Sequence, residues 1–203
     1  DLNRMKVQSP KIQIKNGKDI TIGYVGVIGQ QEGIDHLLKS LKIIIYKYNY
    51  SNFHCYIIGD GPVKDKMIEI CTKMGLNSFV TFTGRISDEK MLDILNTCDI
   101  CVNPDIYNDM NDKSTMNKVM EYMSLGKPIV QYDLFEGRVS AEKASLYALR
   151  NNIEDFASKI FELINDKHKR DFMSSFGIAR VKNELHWEIE KNKYIEVYNR
   201  LFT

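Results

Sequence analysis

From residue 20 onward, the spacing of apolar positions switches repeatedly between a period of two and a period of 3.6. Residues 20–28 (ITIGYVGVI) read as a strand. Residues 33 to about 50 read as a helix, because Ile34, Leu37, Leu38, Leu41, Ile44, Ile45 and Tyr48 recur on one helical face. Residues 53–58 form a second strand, stopped by the turn Gly59-Asp60-Gly61-Pro62. The following helix carries Met67, Ile70, Cys71 and Met74 on one side and closes at Gly75 as its C-cap. A short third strand covers 80–83, and Ser87 caps a helix bearing Met91, Ile94 and Leu95. Strand four, 99–103, stops at Pro104, and a long polar loop leads to a helix near 114–125, ended by Gly126 and Pro128. Strands five and six fall at 129–132 and 145–148. Residues 152–203 read as two or three helices, the last (Trp187, Tyr194, Tyr198, Leu201) packing back across the domain with part of its apolar face exposed.

Strands alternating with helices of this length imply right-handed βαβ units. The expected fold is α/β and doubly wound: a six-stranded, mainly parallel sheet with helices on both faces, spanning 20–203, with 1–19 as a linker remnant. In such a sheet, ligands bind outside the carboxyl ends of the strands where the strand order reverses. That points to four loops: 26–33, 59–62, 84–87 and 103–115.

Composition narrows the function. The 203 residues are 43% hydrophobic and 27% charged, which excludes disorder and coiled coil. A net charge of +1 lacks the basic excess of a nucleic-acid or membrane-surface protein, so no nucleic-acid partner is expected. Cys98 and Cys101 form a C-x-x-C, without the second C-x-x-C or H-x-x-x-H that a zinc site needs. At a strand entry, an odd separation sends them to opposite faces. They read as buried free thiols, as do Cys55 and Cys71, which fits a reducing cytoplasmic compartment. No stretch approaches the roughly 18 apolar residues of a membrane span. The opening Asp1-Leu2-Asn3-Arg4 is not a signal peptide and reads like a cut inside a longer chain.

The loops carry the candidate chemistry. GVIGQQEG is glycine-rich without being G-x-G-x-x-G; Gly26, Gly29 and Gly33 either admit a phosphate to the next helix N-terminus or simply make a tight turn. The turn Gly59-Asp60-Gly61 has Lys64 where the dinucleotide fingerprint needs glycine, and there is no P-loop. A Ser-His-Asp arrangement and a G-x-S-x-G elbow are also missing. In the fourth loop, Met116, Val119, Met120 and Met123 make the buried stripe of the next helix, leaving Lys118, Glu121 and Tyr122 off it. Lys113 opposes the macrodipole there unless an anion joins it. Lys113, Ser114, Thr115 and Lys118 therefore read equally as a pyrophosphate site or as a solvated loop in which Ser114 only caps the helix. Glu121, one turn further on, is either a ribose-binding carboxylate or an ordinary helix glutamate. The stretch DIYNDMND lacks the glycine and terminal glutamate of a calcium loop, so no metal or other cofactor is expected.

Taken in order, YVGVIGQQEGIDHLLKSL, YIIGDGP, VTFTGRIS, CDICVNP and NDKSTMNKVMEYMSLGKPIV resemble the Rossmann-like, donor-binding C-terminal half of a GT-B, family 4 glycosyltransferase. The resemblance runs from about Thr21 to Ala148. It implies retaining transfer of a sugar from a nucleoside-diphosphate donor to a polysaccharide or lipid-linked acceptor. It places Glu121 on the donor ribose, 114–118 on the diphosphate and sugar, Gly84-Arg85 at the nucleobase, and Gly29 and Gly61 in the loops around the donor. The first glutamate of the family's Glu-x7-Glu motif is Lys113 here, and the cations that usually follow strand one are Val27 and Glu32. Such substitutions are similar to those in bacterial surface-polysaccharide enzymes, and they imply that Lys113 and Lys118 have taken over the phosphate role. The resemblance further implies a missing N-terminal acceptor domain, a fragment inactive without it, and membrane contact only through the full-length enzyme, at the inner face of the cell membrane. The competing reading is a non-catalytic α/β ligand- or partner-binding module. Its receiver-like version fails, because the loop after strand one offers only Glu32 as an acid and strand three ends on Phe82-Thr83-Gly84.

Overall fold

The computed structural model describes Met5 and residues 17–202. Six strands alternate with helices: β1 (Ile20–Val25), α1 (Ile34–Tyr46), β2 (Phe53–Ile58), α2 (Lys64–Lys73), β3 (Val80–Gly84), α3 (Asp88–Thr97) and β4 (Ile100–Asn103) come first. They are followed by α4 (Asp109–Asp112), α5 (Asn117–Ser124), β5 (Ile129–Tyr132), α6 (Phe135–Ala141) and β6 (Ser145–Ala148). The chain then runs through α7 (Ile153–Asn165), α8 (Lys167–Arg180), a π-helical turn (Val181–Leu185) and α9 (Trp187–Phe202). The strand order is β3-β2-β1-β4-β5-β6, and every pairing is parallel. The order reverses between β1 and β4, the point beside which sheets of this kind hold their ligands.

Period-two alternation divides the core into two layers. Ile20, Ile22 and Tyr24 of β1 join α1, α2 and α7 on one face, as do Ile100 and Val102 of β4. Tyr56, Ile58, Cys101 and Ile129 point the other way, onto α3 and α5. Both faces of the sheet are covered, as a parallel sheet requires.

Several expectations are corrected. Helix α1 ends at Tyr46 rather than near 50: Asn49 takes a left-handed conformation (φ 52), and Tyr48 and Tyr50 turn back onto Phe161. The helix expected from 114 starts at Asn117, because the polar loop contains its own turn. Asn108 caps α4 there, its side chain accepting from the Met110 and Asn111 amides. Ser114 caps nothing; its hydroxyl donates back to the Met110 carbonyl. Tyr122, expected off the apolar stripe, is fully buried. Cys98 and Cys101 sit in the same core layer rather than on opposite faces, because Cys98 ends α3 and lies outside the strand. All four cysteines are free and buried.

Helix α8 is fastened by Arg180, which donates to the Ser140 and Val139 carbonyls and pairs with Glu142 and Glu184. Helix α9 does not pack back across the domain: no residue on it is buried. Trp187, Tyr194 and Leu201 are 61%, 57% and 72% exposed. Of the expected linker, residues 1–4 and 6–16 lie outside the described residues, while Met5 is buried in the second core layer.

Candidate functional site

Three loops are joined backbone to backbone at the carboxyl edge of β1, β2 and β3. The Gly26 amide donates to the Ile58 carbonyl (3.0 Å), the Ile28 amide to Asp60 (3.0 Å) and the Gly59 amide to Gly84 (3.1 Å). Contact is so close that a Cβ on Gly59, at φ +139, would stand 1.9 Å from the Gly26 carbonyl oxygen. On Gly61, a Cβ would stand 2.5 Å from the Ile28 carbonyl oxygen. Glycine is therefore used here to bring main chains together.

The joined loops wall a cavity of about 380 Å3. Val25, Gly26 and Val27 line it from the first loop, Gly59 and Asp60 from the second, Arg85 and Ile86 from the third. Asp60 is held as a turn residue: its carboxylate accepts from the Gly61 amide (2.8 Å) and pairs with Lys64 (2.8 Å). Those two bonds, the Lys64 one first, keep its carboxyl below the ordinary value.

Behind Gly26 lies a buried polar group that joins the expected Lys118 to Asp105, which sequence reading did not single out. The Lys118 ammonium is held by both oxygens of Asp105, at 2.7 and 3.0 Å. It also stands 5.1 Å from the centre of the Tyr24 ring. Asp105 is 2% exposed and the Lys118 side chain 13%. Burial raises the Asp105 carboxyl above its ordinary value, against the pull of Lys118, and nearby Glu32 adds to the rise. Tyr24 donates its hydroxyl to the Val27 carbonyl at 2.6 Å; burial, then Asp105 and Glu32, pushes its pKa up. A Cβ on Gly26 would touch the Lys118 Cε at 3.5 Å, so the lysine stem, without lining the cavity itself, packs behind a glycine that does. Tyr122 completes the group: its hydroxyl accepts from the Val25 amide (2.9 Å) and donates to the Val102 carbonyl (3.3 Å). It thereby ties α5 to β1 and β4 at the point where the strand order reverses.

The other expected site residues divide. Arg85 lines the cavity. Gly29 is covered by the Glu32 side chain, whose Oε2 would stand 2.5 Å from a Cβ there. That oxygen is buried without a hydrogen-bond partner among the described residues. Lys113 is exposed at the end of α4. Thr115 donates to Glu136 of α6 (2.7 Å), and Ser114 is turned to Met110. Glu121 is half-buried on α5, one residue before Tyr122. Asp105 was hidden inside the Asp/Asn-rich stretch; its signal was position, as the second residue after the end of a central parallel strand.

The matched family agrees with this architecture. Residues 19–166 match the family described as glycosyl transferases group 1, and the chain belongs to it. Among relatives, the capsular polysaccharide biosynthesis glycosyltransferase CapM of Staphylococcus aureus is 25% identical over 208 residues. The match covers 95% of this chain and 52% of that protein. An uncharacterized glycosyltransferase of Methanocaldococcus jannaschii, MJ1607, is 20% identical over 177 residues, covering 86% of this chain and 43% of that protein. The chain thus spans about half the length of these relatives. Of solved structures, Anabaena HepE in complex with UDP and glucose superposes with a TM-score of 0.84 at 17% identity, covering 98% of this chain and 55% of that one. A C-terminal domain of LpcC, a glycosyl transferase group 1 family protein from Francisella tularensis, superposes at 0.77 and 15% identity, covering 92% and 98%. The structural likenesses establish the GT-B-type Rossmann-like fold. Among the described residues, no helix is long and apolar enough to cross a membrane.

Proposed function

We propose that this domain binds the nucleoside-diphosphate part of a sugar donor and forms the donor half of a retaining, family 4 glycosyltransferase. The observation that carries the reading is the cavity at the carboxyl ends of β1, β2 and β3, lined by Gly26, with the Lys118 stem packed behind that glycine. The base enters beside Arg85, the ribose reaches Glu121, and the diphosphate meets Gly29, Lys113, Ser114, Thr115 and Lys118. Gly61 shapes the wall by letting the second loop approach Ile28. An acceptor-binding domain supplies the facing wall, and the acceptor is a surface polysaccharide or lipid-linked glycan, in keeping with the CapM relative. The enzyme works in the cytoplasm, at the inner face of the cell membrane.

One wall of a cleft leaves the reacting centre open to water, so this chain alone binds a nucleoside diphosphate weakly and transfers no sugar. Calorimetric titration with UDP, GDP and ADP tests the reading. Binding of one of them, lost about tenfold or more in Glu121→Ala with the melting temperature kept, is expected for a carboxylate that accepts hydroxyl hydrogen bonds. Absence of binding for all three, or unchanged affinity in the variant, refutes it.

A further inference from the structure

We propose that Asp105 is an internal competitor for Lys118: its carboxylate holds the ammonium and yields it to the donor's diphosphate. This rests on the reading of Lys118 as a phosphate-binding cation. The ammonium touches both Asp105 oxygens, at 2.7 and 3.0 Å, and the pair is almost wholly buried. Seen by an incoming anion, the ammonium and the carboxylate beside it sum to no net charge. Glu32 stands nearby with an unpartnered oxygen over Gly29, so the glycine loop faces an excess of negative charge. The stem packs against Gly26, which lines the cavity. The ammonium held by Asp105 thus stands one residue behind the cavity wall, and release from Asp105 frees it to turn toward a diphosphate bound there.

Asp105 is thus a positioning residue with two effects. It keeps the ammonium from lying unpaired in a low-dielectric site, where an isolated charge is costly. It also sets a price on diphosphate binding, since the anion must replace an existing ion pair. A transferase benefits, because its leaving nucleoside diphosphate bears more charge than the donor and must still depart.

The test uses the full 203-residue chain and inorganic pyrophosphate, which removes any dependence on the base. Asp105→Asn and Asp105→Ser take away the competing charge, and Asp105→Glu keeps it. Both neutral variants are expected to bind pyrophosphate roughly five- to tenfold more tightly than the wild type by calorimetry, an effect that 0.5 M salt erodes. Asp105→Glu is expected to stay near wild type. A residue that only holds the loop in place cannot produce a gain. Equal or weaker binding in the neutral variants, a gain in Asp105→Glu as well, or failure of both neutral variants to fold overturns the proposal. Failure of UDP, GDP and ADP to bind the wild type would instead overturn the donor-site reading.

Discussion

Substituting Lys118 by Met keeps the side-chain stem and removes the ammonium, leaving the Asp105 carboxylate, 2% exposed, without its cation. Removing one partner of a buried pair costs about 3–5 kcal/mol, because the other charge is stranded. Asp105 has one escape, which is to take up a proton. From an ordinary value of about 3.9, and at about 1.36 kcal/mol per pH unit, protonation costs about 4 kcal/mol at pH 7 and about 1.5 kcal/mol at pH 5. Those figures cap the damage at each pH. The sign follows from burial: a carboxyl raised in the folded state contributes stability below its unfolded value, lost as pH rises through the folded value. Asp105 is already raised in the wild type, and loss of Lys118 carries that window further upward. Urea unfolding of wild type and Lys118→Met should give a deficit of about 3–4 kcal/mol at pH 7 and about 1–1.5 kcal/mol at pH 5. The double variant Lys118→Met/Asp105→Asn should regain most of it. A deficit below about 1 kcal/mol at pH 7, as for a solvated pair, or one equal at both pH values, refutes the buried-pair account.

Three further outcomes are expected. Tyr122→Phe removes the acceptor of the Val25 amide and should lower unfolding free energy by about 1–3 kcal/mol in urea titration. Gly59→Ala drives a Cβ into the Gly26 carbonyl and should lower the melting temperature well beyond Gly84→Ala, where φ is +67 but the space is open and the cost is about 1 kcal/mol. Truncation after Leu185 removes α9, which buries no side chain, so the melting temperature of the remaining domain should move by less than about 3 °C.

The alternation of Ile20, Ile22 and Tyr24, the stripe Ile34, Leu37, Leu38, Leu41, Ile44, and the stops at Gly75 and Gly126 were enough to set the strand count and the parallel topology. Each is a local property: it records which face a short segment buries, and period two or 3.6 declares that face directly. The order of motifs likewise carried the family before any coordinates. What meets where the strand order reverses is not local. Lys118 and Asp105 are 13 residues apart, and Tyr122 and Val25 are 97 apart. In sequence, Lys118 looked like an available cation and Tyr122 like a surface residue. Closure of the sheet between β1 and β4 buried both, and burial then obliged each polar group to find a partner. The same limit explains α9, whose apolar spacing promised packing: periodicity shows that a face wants cover, while only the tertiary arrangement decides whether the rest of the domain provides it.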